Sequence, residues 1–179
     1  MNQSLQIIRI WGLGSACAGL GLALALQPAL AVYFDRMPAS VCRPAVPKNF
    51  AHHYVIATTA TMLESISNSA TDYICKIPDK SNLPASSITS IKVAVRDSHS
   101  TVNITIKACA FNAANGQGFC GTPKTTSGTG YSEQELTTSG GYLAELQALR
   151  TPYLWINLPG SQAGAASAIA GLYFYSSTI

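Results

Sequence analysis

Residues 91–111, IKVAVRDSHSTVNITIKACAF, decide the fold class. Ile91, Val93 and Val95 alternate with Lys92, Ala94 and Arg96; after a polar break, Val102, Ile104 and Ile106 alternate with Asn103, Thr105 and Lys107. A period of two puts successive side chains on opposite faces of an extended chain, so each arm reads as a strand with one apolar face. Asp97, Ser98, His99 and Ser100 separate the arms. Asp and Ser favour reversals because their side chains bond nearby backbone groups. The pattern predicts a β-hairpin with its turn at residues 97–100 and one face buried.

The same period recurs outward from this stretch. Residues 52–58, 71–76, 153–158 and 168–175 read as further strands, two of them stopped by Pro78 and by Pro159-Gly160. In residues 142–150, Leu143, Leu146 and Leu149 fit a helical stripe, while the β-character around them favours a strand. Residues 124–141 are rich in Ser, Thr and Gly and read as a loop, interrupted at most by a short strand at 135–138. About seven or eight strands, no long helix and turn-rich connections predict an all-β fold, a two-sheet antiparallel β-sandwich of jelly-roll or immunoglobulin-like order.

The amino-terminal segment reads as an export signal. Arg9 is the sole basic side chain before an uncharged run at 10–26; Gln27-Pro28 breaks that run, and Ala29-Leu30-Ala31 supplies small residues at both recognition positions. Residues 1–31 are therefore expected to be a signal peptide cleaved before Val32; Pro28 and the Ala-x-Ala oppose the alternative of an uncleaved membrane anchor. Residues 32–179 then form a single domain, located in the periplasm or outside the cell. Cys17 leaves with the signal and Cys42, Cys75, Cys109 and Cys120 remain. An even count in an exported chain predicts two disulfides, for which three connectivities exist. Pairing Cys109 with Cys120 closes a short Gly-rich loop, and Cys42 with Cys75 then follows.

Charge and motifs exclude more than they assign. Without Arg9 the chain has ten Lys or Arg against eight Asp or Glu, with no basic cluster, which argues against a nucleic-acid partner. Asp97, Ser98 and His99 are the side-chain types of a hydrolytic triad, but neighbours in a tight loop point in divergent directions and do not form a hydrogen-bonded row. No Gly-x-Ser-x-Gly or Ser-x-x-Lys occurs. His52 and His53 would face opposite sides of a strand and cannot share one ion, and no Cys/His spacing suggests zinc; no metal or cofactor is expected. Glu133 and Glu135 fit a carboxylate pair but fall in the polar loop. Asn103-Ile104-Thr105 matches a glycosylation sequon inside the second arm.

The succession Cys42-Arg43-Pro44, Tyr54, Cys75-Lys76-Ile77-Pro78, Ala108-Cys109-Ala110-Phe111, Gly118-Phe119-Cys120-Gly121, residues 152–159 (PYLWINLP) and residues 169–174 (IAGLYF) spans nearly all of 32–179. It resembles an uncharacterised family of small secreted bacterial β-sandwich proteins with two disulfides and no assigned activity. The resemblance supports pairing Cys42 with Cys75 and Cys109 with Cys120, and it implies no catalytic residues. Lys76 departs from it, since the family more often has Pro there.

One surface feature points to a ligand. Alternation puts Tyr153 and Trp155 opposite Leu154, Ile156 and Leu158, and puts Tyr173 and Tyr175 opposite Leu172 and Phe174. Were the two strands paired, four rings would share one side of a sheet, able to stack on sugars or to stabilise the sheet as cross-strand pairs, unless this side is the core face and the aliphatic row lies outside. Two functional readings follow. One is a secreted non-catalytic β-sandwich that binds a glycan, a cell surface or a partner protein. The other is a secreted hydrolase whose site is assembled from distant loops around His99 or His53.

Overall fold

Both arms of the 91–111 stretch turn their aliphatic rows inward: Ile91, Val93, Val95, Ile104 and Ile106 are fully buried. The structure, a computed structural model, describes residues 33–46, 55–56, 62–81, 83–137, 150–162 and 164–176. The expected signal segment 1–31 with its cleavage point before Val32, the His52-His53 pair and the ambiguous segment 142–150, except Arg150, lie outside the described residues.

Within them run twelve strands: β1 (Tyr33–Pro38), β2 (Cys42–Pro44), β3 (Val55–Ile56), β4 (Leu63–Glu64), β5 (Thr71–Lys76), β6 (Ile88–Asp97), β7 (Thr105–Asn112), β8 (Gln117–Cys120), β9 (Lys124–Thr125), β10 (Gly130–Thr137), β11 (Arg150–Leu158) and β12 (Ala168–Ser176). Three-residue 3-10 turns stand at Ala39–Val41 and Ala85–Ser87. The first sheet has the order β10-β6-β12-β4-β3, with β1 also pairing with β12; the second has β2-β5-β11-β7-β8, with β9 also pairing with β7. All of these pairings are antiparallel. The inward rows of the two sheets, among them Tyr73, Leu154, Ile156 and Leu158 from one and Val93, Leu172 and Phe174 from the other, form one core. This is the expected two-sheet sandwich.

The expected hairpin does not form. β6 pairs with β10 and β12 in the first sheet, while β7 pairs with β11, β8 and β9 in the second. Residues 98–104 carry the chain across the sandwich, and Val102, expected in the buried row, is 47% exposed in that crossing. Among the described strands, successive ones share a sheet only at β3–β4 and along β7–β8–β9; every other step changes sheets. Alternation records which side of a strand meets the core. It is the same whether the next strand lies beside the first or opposite it.

Asp97 holds the crossing. It is 1% exposed. Oδ1 accepts from the His99 backbone N–H at 3.0 Å and from Ser167 Oγ at 3.3 Å. Oδ2 accepts from the Ile104 N–H at 3.2 Å and from the Thr126 hydroxyl. A buried carboxylate is costly unless its lone pairs are filled, and here donors from three chain segments fill them.

Both disulfides join residues directly opposite one another in antiparallel pairs, Cys42 with Cys75 and Cys109 with Cys120, as expected. The first lies in the core row and anchors the three-residue β2. The second belongs to the outward row of its sheet, since Cys109 stands opposite Tyr153. The polar segment at 124–141 needs a correction too: Glu133 and Glu135 lie on a full strand, β10, rather than in a loop. As an edge strand, β10 buries only Leu136 among its eight residues, so no apolar alternation marks it in the sequence.

Candidate functional site

The central strand of the second sheet, β11, alternates cleanly, with Leu154, Ile156 and Leu158 fully buried and Tyr153, Trp155 and Asn157 half-buried on the outward face. The register of β11 with its neighbours builds that face row by row. Trp155 lies between Ile74 of β5 and Lys107 of β7, with Arg43 of β2 beyond Ile74. Tyr153 lies between Lys76 and Cys109, and Asn157 between Asp72 and Thr105. Ile74 is 40% exposed beside the indole.

The polar groups around the indole are specific. Lys107 Nζ sits 4.8 Å from the Trp155 ring centroid, a cation–π distance. Asn157 Nδ2 donates to Asp72 Oδ1 at 2.7 Å, which fixes the amide at the rim of the face. The Tyr153 hydroxyl reaches over β7 toward Gly118, where an added Cβ would lie 3.7 Å from it. Cys109 is fully buried there although it belongs to the outward row. On the β2 side of Tyr153, an open groove of about 700 Å³ is lined by Val41, Arg43, Ile74, Lys76, Pro152 and Tyr153, among others.

Tyr173 and Tyr175 occupy the outward row of β12 in the other sheet. Arg36 lies 5.4 Å from the Tyr173 ring and Lys92 lies 5.6 Å from that of Tyr175. The single row of four rings therefore does not form: β11 and β12 belong to different sheets, and the two pairs look outward from opposite faces of the sandwich. On Tyr173's face the cations are interleaved with carboxylates. Arg96 donates to Glu64 Oε1 at 2.5 Å, and Ser90 Oγ donates to Glu135 Oε1 at 2.6 Å.

Residues 97–100 have separate duties. Ser98 Oγ donates to the Ala166 carbonyl at 2.9 Å, and His99 Nδ1 accepts the Val102 N–H at 3.1 Å within its own loop. The Asp97 carboxylate meets the backbone of His99, not its ring. A second open groove, of about 580 Å³, lies beside this crossing and is lined by Glu64, Arg96, Ser98 and Ser161 among others. Among the described residues no three His, Cys, Asp or Glu side chains gather as a metal site, and no helix is long and apolar enough to cross a membrane.

Sequence reasoning missed Arg43, Ile74, Lys76 and Lys107 as members of the Trp155 face. A signal for Ile74 was present: in TDYICK, Thr71, Tyr73 and Cys75 form the buried row, which leaves a large aliphatic residue facing outward. Placing Arg43 and Lys107 beside it required the strand order.

No family model matches the chain, and no curated protein matches it. Among solved structures it is similar to a family two carbohydrate esterase from Cellvibrio japonicus, with TM-score 0.43 and 8% identity over 82% of this chain and 34% of that one. The chain thus spans about a third of that protein's length. It is also similar to the family 32 CBM from C. perfringens NanJ in complex with galactose, with TM-score 0.42, 13% identity and coverage of 80% of this chain and 100% of that one. A third likeness is to TmCBM61 in complex with beta-1,4-galactotriose, with TM-score 0.28 and 8% identity over 82% of this chain and 84% of that one.

Proposed function

We propose that this protein is an exported, non-catalytic carbohydrate-binding β-sandwich, with its ligand held on the outward face of the second sheet around Trp155 and Tyr153. The observation that carries this reading is the row Ile74–Trp155–Lys107 at the centre of that face, with Tyr153 next to Trp155 in the same outward row of β11. Alternate residues of a strand stand roughly 7 Å apart, so the two rings make one continuous platform. Sugars present C–H faces that stack on such rings and hydroxyls that need donors and acceptors at the rim. Asn157, Asp72, Lys76 and Arg43 supply those groups. The platform rests on a fully buried aliphatic row and is therefore preorganised, which limits the ordering cost of binding. Lys107 covers the indole in the free protein, and its flexible stem lets a sugar ring displace it. Export is supported by the two disulfides, which form in oxidising compartments.

A chain beginning at Val32 has Trp155 as its sole tryptophan, because Trp11 lies in the signal segment. Glycan-array hits obtained with that chain are therefore followed directly by indole fluorescence. Binding should perturb the Trp155 emission, and Trp155→Ala should weaken affinity by about tenfold or more, of the order of 1.4 kcal/mol. Tyr173→Ala, on the opposite face, should leave it unchanged. Absence of any glycan hit, or hits indifferent to Trp155→Ala, would sink the proposal.

A further inference from the structure

We infer that the glycan taken by this face is anionic, a polysaccharide bearing carboxylate or sulfate groups; the inference rests on the carbohydrate-binding reading above and adds the class of ligand. The two outward faces of the sandwich differ in charge. That of the first sheet carries Arg36, Lys92 and Arg96 together with Glu64, Glu133 and Glu135. That of the second sheet carries Arg43, Lys76 and Lys107, with Asp72 as the carboxylate among its described side chains. Asp72 already accepts from Asn157 at 2.7 Å. The ion pairs among the described residues are Lys80 with Asp35 and Arg96 with Glu64, and neither involves a cation of the second sheet's face.

Arg43 and Lys76 are exposed and line the same groove as Ile74, Pro152 and Tyr153. Lys107 stands on the other side of the indole. A sugar stacked on Trp155 is thus flanked by cations from both neighbouring strands. Arg43 offers the planar fork that grips a carboxylate or sulfate through two parallel hydrogen bonds. A neutral sugar would leave Arg43 and Lys76 to water and would displace Lys107 from the indole without offering it an anion. An anionic one completes the charge, and three cations suit a few acidic groups on a sugar chain rather than the dense phosphates of a nucleic acid.

The test uses the chain from Val32, titrated with galacturonate oligosaccharides, with sulfated chondroitin oligosaccharides, and with neutral galactan oligosaccharides of matched length. An acidic oligosaccharide of either kind should bind at least about tenfold tighter than the neutral one, with the preference shrinking as salt rises. Arg43→Gln combined with Lys76→Gln should remove about tenfold or more of that preference while the unfolding midpoint stays put, both side chains being exposed. Lys92→Gln, on the opposite face, should change nothing. Equal binding of neutral and acidic sugars, or a preference that survives the double substitution, overturns the inference and leaves the carbohydrate reading standing. Binding of none of the sugars defeats the carbohydrate reading itself. Equal affinity for single-stranded DNA or for anionic phospholipid vesicles overturns the inference in favour of unselective polyanion binding.

Discussion

Asp97 and His99 stand two residues apart and contribute very differently. Replacing Asp97 with Ala removes the acceptor for four donors, two of them hydroxyls on the buried residues Thr126 and Ser167. Each buried group left unsatisfied costs about 1 to 3 kcal/mol, so Asp97→Ala should lower stability by at least about 2 kcal/mol. Urea unfolding should show this as a lower midpoint at an unchanged slope. His99→Ala should cost no more than about 0.5 kcal/mol, because the Val102 N–H it frees lies in an exposed loop and reaches water. Ligand binding should survive that change; a stable His99→Ala protein without function would revive the hydrolase alternative. That these neighbours do not line up as a triad was legible from their adjacency. The closure of a sheet-to-sheet crossing by Asp97 was not, because Thr126 and Ser167, its hydroxyl partners, lie 29 and 70 residues away.

The strands divide into those whose sequence announces them and those whose sequence does not. β5, β11 and β12 are buried on one face and half-exposed on the other, so alternation marks them; β10 is an edge with a single buried side chain, and β2 has three residues. At this scale Ile104 and the first disulfide are the informative probes. Ile104→Ala should cost about 2 to 5 kcal/mol, measured with both disulfides formed, because a fully buried side chain between the sheets leaves a cavity that relaxes only in part. Replacing both Cys42 and Cys75 with Ala should cost about 2 to 4 kcal/mol. It should also weaken binding of an acidic sugar, since β2 is held by three register pairs and carries Arg43. Stability lost with affinity intact would remove Arg43 from the ligand face.

For the molecule as a whole, one expectation concerns its processing and another its surface. Mass spectrometry of the exported protein should find Val32 at the amino terminus, whereas an intact Met1 in a membrane fraction would mean that the segment is an anchor. The surface expectation is the contrast between a mixed-charge face on the first sheet and a basic, aromatic face on the second. The sequence by itself determined the all-β class, the side of β6 that meets the core, and that Cys42, Cys75, Cys109 and Cys120 form two disulfides. These are properties of a short window or of a simple count, and a period of two is visible wherever one face is dry. Only the tertiary structure decided which sheet each strand joins. On that depend the separation of Tyr153 and Trp155 from Tyr173 and Tyr175, and the gathering of Arg43, Lys76 and Lys107 around one indole. The physical reason is that burial is registered by every residue of a strand locally, whereas the choice of neighbour is settled by contacts between segments far apart in the chain, to which the alternation is blind.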